Sequence, residues 1–220
     1  MTNLVASETA YNGGLFPKIP ERVNGQDTLL ISADGIARKV DDYTTTKDIR
    51  KGSYNKIARV STAPFSLGIT LKAVSKNKPY EFEVAIGVEC QIKDSVAYYT
   101  NRATYDISGS ISTALSRIVT PIAKAYELTD DNVDIGLYDK LSEREYSLES
   151  LGITYSVHSA DAEPAANAAS FVKQMTDSTL NVRVEQHKVS EAEKLTARNM
   201  ERTMKSCGSL SSSASIQIPK

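Results

Sequence analysis

The sequence predicts an α+β fold, with an antiparallel β-sheet covered on one face by helices and followed by a long C-terminal helix. Three observations predict it. Phe65, Leu67, Ile69, Leu71 and Ala73 alternate with Ser66, Gly68, Thr70 and Lys72, and the run from Tyr80 to Ile92 repeats that period over a longer stretch. Such alternation marks strands buried on one face only, and the segment between them, Ser75 to Pro79, is short enough to close a hairpin. After Asp94 the apolar period changes to roughly 3.6, the spacing of helices laid on a sheet. Beyond Pro164 the chain runs to Ser206 with no further Pro or Gly.

Each element has its own signal. Residues 1–26 are rich in Gly, Asn, Pro and Thr and predict an irregular N-terminal arm. Its Leu15, Phe16 and Ile19 are placed to pack on the core or on a neighbour, and Gly13-Gly14 marks a bend. Thr28 to Ser32 forms a short strand, Asp34-Gly35 a tight turn and Ile36 to Val40 its return. Asp41 to Tyr54 is polar and predicts a loop, and Lys56 to Ser61 a further strand before the alternating pair.

Asp94 is placed to cap a short helix bearing Val96, Tyr98 and Tyr99. A helix is expected over Ile107 to Glu127, with a stripe of Ile111, Leu115, Ile118, Val119, Ile122 and Tyr126 that Pro121 should kink or divide. After a break at Leu128 to Asn132, Val133 to Leu151 resumes the helical pattern through Leu137, Leu141 and Leu148, with Gly152 as its stop. Ile153, Tyr155 and Val157 then alternate with polar residues as a strand. The predicted organisation is an arm at 1–26, an α+β domain at 27–163, an extended helix at 164–206 and a disordered Ser-rich tail at 207–220.

A helix of about 40 residues spans roughly 60 Å, too long for a small globule. Met175, Val182 and Val189 recur every seven residues and are followed by Thr196 and Thr203, with Ala192 nearby. This set predicts an oligomerisation helix, and polar residues such as Glu185 and Asn199 at the companion positions leave a weak seam that needs lateral partners.

Composition excludes several classes. Lys plus Arg number 26 against 27 Asp plus Glu, which argues against nucleic-acid binding. The balance hides an asymmetry: Arg38 to Lys78 carries ten bases and three acids, whereas Pro79 to Ala160 carries six bases and thirteen acids. Cys90 sits among strand positions as a core residue, and Cys207, beside the Ser-rich tail, is expected to be an exposed thiol. Neither implies a disulfide framework. The first twenty residues hold neither a basic region nor an apolar run beyond Leu4-Val5-Ala6, so no secretory signal or span is expected and the expected location is cytoplasmic.

Chemistry finds little support. His158 and His187 are the only histidines, one on the polar face of a strand and one on an exposed helix, and no nucleophile-elbow, P-loop, dinucleotide or C-x-x-C pattern occurs. Asp130, Asp131 and Asp134 lack the spacing of a calcium loop and read as an acidic helix cap. No catalytic residue, metal site or cofactor is expected. The basic run of Lys47, Arg50, Lys51, Lys56, Lys72, Lys76 and Lys78 supports either contact with an anionic bilayer, at about 1 kcal/mol per base, or a head-to-tail contact with the acidic edge of another copy.

The order of these parts resembles the SPFH (band 7) domain of stomatin, prohibitin and flotillin. The residues that carry the resemblance are RVSTAPFSLGITLKAVSKNKPYEFEVAIGVECQIKDSVAYYTN, from Arg59 to Asn101, followed by the helical block, LGITYSVHSADAEP from Leu151 to Pro164, and the Ala- and charge-rich helix. The resemblance spans roughly Thr28 to Ser206 and implies a non-enzymatic scaffold that assembles laterally into a ring, cage or filament and organises membranes or membrane proteins. Many members carry an N-terminal hairpin or span, whereas the arm here is too polar to insert. The implied partners are further copies of the chain and an anionic membrane surface, contacted peripherally at its inner face, or a membrane-associated protein. The alternative is a peripheral adaptor that binds anionic lipid through the basic run without large assembly.

Overall fold

The computed structural model describes residues 4–12, 14 and 17–210, with side chains as far as residue 201. Leu15, Phe16, Gly13, the Cys207 thiol and the tail beyond residue 210 lie outside what is described. The chain divides into two units, Met1–Ala168 and Ala169–Lys220. The first is α+β and holds two antiparallel four-stranded sheets rather than one.

In the first sheet the strand order is β1-β4-β2-β3, from β1 (Val5–Ala10), β2 (Gln26–Ser32), β3 (Ala37–Lys39) and β4 (Tyr54–Ser61). The predicted β2–β3 hairpin is present, closed by Gly35 at φ 85°. Two predictions are corrected here. The arm is not irregular throughout, because β1 pairs along β4 and buries Leu4, whose carbonyl accepts the Ser61 N–H at 2.8 Å, while Ile19 stays exposed. The polar loop at 41–54 contains helix α1 (Thr46–Gly52). Thr45 caps it by accepting the Asp48 N–H, and the Asp48 carboxylate in turn accepts the Thr45 N–H. Its one buried residue, Ile49, packs with Leu30 and Val40.

The second sheet has the order β5-β6-β8-β7 and contains the alternating pair, β5 (Phe65–Val74) and β6 (Glu81–Ile92). Phe82, Val84, Ile86, Val88, Cys90 and Ile92 of β6 are all buried, as the period of two requires. Strand β8 (Ile153–Pro164) continues the sheet, and His158 is the extra residue where its register with β6 shifts between Gly87 and Val88.

Asp94 caps α2 (Ser95–Asn101), as predicted, by accepting the Val96 and Ala97 N–H groups at 2.9 and 3.0 Å. Helix α3 (Ile107–Ala123) buries Ile111, Leu115, Val119 and Ala123, a strict four-residue repeat, against β5. Pro121 does not divide α3. It sits in the last turn, with only Ile122 and Ala123 of the helix after it, and Tyr126 falls beyond the helix end. Helix α4 (Val133–Ser142) covers β8 with Leu137 and Leu141.

The helix expected to reach Leu151 stops nine residues earlier. Edge strand β7 (Tyr146–Leu148) pairs with β8 and stacks Tyr146 on Tyr155 at 5.2 Å, and a single 3-10 turn over Glu149–Leu151 then ends at Gly152. Main-chain pairing to β8 outweighs the helical spacing of Leu141 and Leu148.

The second unit is helix α5 (Ala169–Leu210), preceded in the first unit by a 3-10 turn over Ala166–Ala168. The helix therefore begins slightly later and runs past the predicted 164–206 segment, taking in the first residues assigned to the tail.

Candidate functional site

The predicted basic residues are distributed over both sheets of the first unit. Lys47, Arg50 and Lys51 lie on α1, Lys56 on β4, Lys72 on β5, and Lys76 and Lys78 in the β5–β6 turn. Lys72 faces Glu83 across β5 and β6. Lys76 pairs with Glu127 at 2.9 Å, and its N–H donates to the Tyr126 carbonyl, so that base ties the turn to the α3–α4 connection. Both partners of this pair are half-exposed, which limits it to about 0–1 kcal/mol.

The α1 bases have the more open setting. Arg38 and Arg59 share the sheet face that α1 covers, because Arg38 lies opposite Leu30 and Arg59 opposite Thr28. Asp41 and Asp48 are the nearby acids. Their carboxyls are held below the ordinary range by hydrogen bonds from Thr44 and Thr45 respectively, so both stay charged while serving turn and cap. Tyr43, 87% exposed, precedes α1, and Ile36, 64% exposed, lies at the β2–β3 turn.

On α5 the predicted seam residues Met175, Val182 and Val189 are all exposed, as are Ala192 and Thr196. Val172, Thr179, Gln186, Glu193 and Met200 lie three residues before Met175, Val182, Val189, Thr196 and Thr203, and complete the heptad pattern more fully than Glu185 and Asn199 do. Gln186 and Glu193 interrupt it with polar groups. Leu180, Val184 and Leu195, also exposed, lie on the opposite side of the helix.

Other sequence candidates serve the structure. The Asp134 carboxylate accepts the Ala162 N–H at 2.7 Å, joining α4 to β8, and Asp130 accepts the Asn132 N–H at 3.0 Å. His158 is exposed on the outer face of the second sheet, where its ring lies over Gly87. Burial, with a contribution from Glu89, pushes the Cys90 thiol up to about 11, so it stays protonated and unreactive at neutral pH. Among the described residues no group of His, Cys, Asp and Glu could hold a metal ion. A half-open groove of about 630 Å³ lies beside Phe65, Leu67, Tyr98, Arg102, Tyr105 and Asp106. Arg102, which lines it, pairs with Glu8 at 2.6 Å and stacks on the Tyr99 ring. Among the described residues no helix is long and apolar enough to cross a membrane.

Sequence reasoning did not assemble one further surface. The outward side chains of β5 and β6 are small in the middle of the second sheet, with Gly68 opposite Gly87 and Thr70 opposite Ala85, and the His158 ring of β8 covers Gly87. Glu83, Glu89, Asp161 and Glu163 surround that middle, all exposed and none in an ion pair among the described residues. The alternation of Glu81, Glu83 and Glu89 along β6 was the available signal; Asp161 and Glu163 join it only through the pairing of β8. The chain matches no protein-family model and no curated protein.

Proposed function

We propose that this chain is a non-enzymatic, SPFH-like scaffold whose copies associate side by side into a ring, cage or filament that organises membranes or membrane proteins. The observation that carries this reading is α5, a 42-residue helix whose apolar seam residues are exposed along its described length. An isolated helix gains little from propensity alone and draws its stability from packing an apolar face. Copies of α5 laid beside one another supply that packing. The exposed bases around α1 and the exposed acids of the second sheet add a second, electrostatic source of association.

The test is solution mass by light scattering as a function of salt. At low ionic strength the mass is expected to lie well above the 24.0 kDa of one chain. It falls as salt shortens the Debye length below about 10 Å. A mass of one chain at every protein concentration and salt contradicts the reading.

Tyr43 and Ile36, exposed on either side of Arg38 and ahead of the α1 bases, favour a second reading, a peripheral adaptor on anionic lipid. Lys47, Arg50 and Lys51 then face the headgroups. Flotation with anionic but not neutral vesicles supports it, and equal or absent binding to both excludes it.

A further inference from the structure

We infer that the outer face of the second sheet is the seat for the α1 side of another copy of this chain, joining copies head to tail. The inference rests on the scaffold reading and names the surfaces through which the copies meet. The sheet face is acidic: Glu83 and Glu163 lie in one cross-strand row with Lys72, Asp161 lies one row on opposite Ala85, and Glu89 lies beyond the glycine pair. None of these four carboxylates has an ion-pair partner among the described residues. A covered antiparallel sheet with one wetted face is ordinary, but four acids without an ion pair around Gly68, Thr70 and Ala85, with the His158 ring lying over Gly87, form a negatively charged face.

The opposite charge lies elsewhere in the same unit. Lys47, Arg50 and Lys51 on α1, with Arg38 and Arg59 on the strands beneath, outnumber Asp41 and Asp48, whose carboxylates are occupied by local hydrogen bonds, and Asp42, which pairs with Arg22. The long side chains of Lys47 and Lys51 suit this face, because they can reach the carboxylates that flank Gly68, Thr70 and Ala85 beside the His158 ring. The two surfaces are on different sheets and are not the same patch, so their contact is heterologous: each copy offers one acidic and one basic face, which propagates into a ring or a filament. Charge complementarity selects a second copy as the occupant, since the chain itself carries both halves in nearly equal number.

Charge reversal tests this on the full chain, with sedimentation velocity at low salt as the readout. One variant carries Glu83→Lys and Glu163→Lys, the other Lys47→Glu and Lys51→Glu. All four positions are exposed, and circular dichroism and the unfolding midpoint of each variant establish that it is folded. Each variant alone is expected to sediment as a smaller species than wild type, and an equimolar mixture to recover wild-type size, because the reversed faces are complementary to each other. A Glu83→Gln, Glu163→Gln variant adds no repulsion within the sheet and is expected to fall between wild type and the reversed form. Wild-type size in either reversed variant, or in the Gln variant, overturns the inference, as does a mixture that stays small with both members folded. In those cases wild type still assembles and the scaffold reading stands. A wild-type chain that remains single at all concentrations overturns both.

Discussion

Gly152 is the position where a single methyl group does most damage. Its φ of 59° is left-handed, a Cβ there would lie 2.3 Å from the Asp94 carbonyl oxygen, and its own carbonyl accepts both the Lys93 and Asp94 N–H groups. The left-handed conformation alone costs a non-glycine residue about 1–2 kcal/mol, and the contact is with backbone, which cannot turn aside. Gly152→Ala is therefore expected to lose more than that in urea unfolding; an unchanged midpoint contradicts the account of this corner. Leu115, fully buried between α3 and β5, is expected to cost about 2–5 kcal/mol on truncation to Ala. Cys90 gives a pH signature. Its thiol is raised from 9.0 to about 11 by burial, so between those values the unfolded chain has released a proton that the folded chain retains. Stability thus falls with rising pH across that window. Chemical denaturation at stepped pH checks it: Cys90→Ala flattens this segment of the profile, and an equally steep fall without the thiol refutes the assignment.

At the scale of elements, legibility followed the range of the interactions. Strands β5 and β6 were readable because every buried residue obeys a period of two within one local hairpin. Helix α1 was missed because its apolar face is a single residue, Ile49, among Lys, Asp and Arg. The Thr45-x-x-Asp48 capping box was the signal that could have found it. Strand β1 was missed because its partner β4 is distant in sequence, and β7 because it is only three residues long and the helical spacing of Leu137, Leu141 and Leu148 runs into it, although its partner β8 follows after a single turn. Two predictions belong here. Thr45→Ala removes the cap of α1 and is expected to cost about 1 kcal/mol, measured as a shift in unfolding midpoint; no shift means that Ile49 packing alone holds the helix. On α5, replacing Gln186 and Glu193 with Leu removes the two largest polar side chains from the seam. The variant is expected to stay assembled at salt concentrations that dissociate wild type, whereas unchanged salt sensitivity argues that this stripe faces no neighbour.

For the whole molecule, the basic and acidic halves were visible in the sequence, but their arrangement was not. The bases divide between α1 with its supporting strands and the β5–β6 turn, where Lys76 is consumed by Glu127, while the acids of β6 gain Asp161 and Glu163 only through the β8 register. The long helix was visible from the lack of Pro and Gly, and its exposed seam is a property of the folded chain. The proposed association of copies draws on these features, with charge selecting the faces and α5 supplying apolar contact. Negative-stain electron microscopy of the purified full chain at low salt tests that claim most directly. Rings or filaments of repeating units are the predicted result, and a field of separate particles no larger than a single 24.0 kDa chain would contradict it.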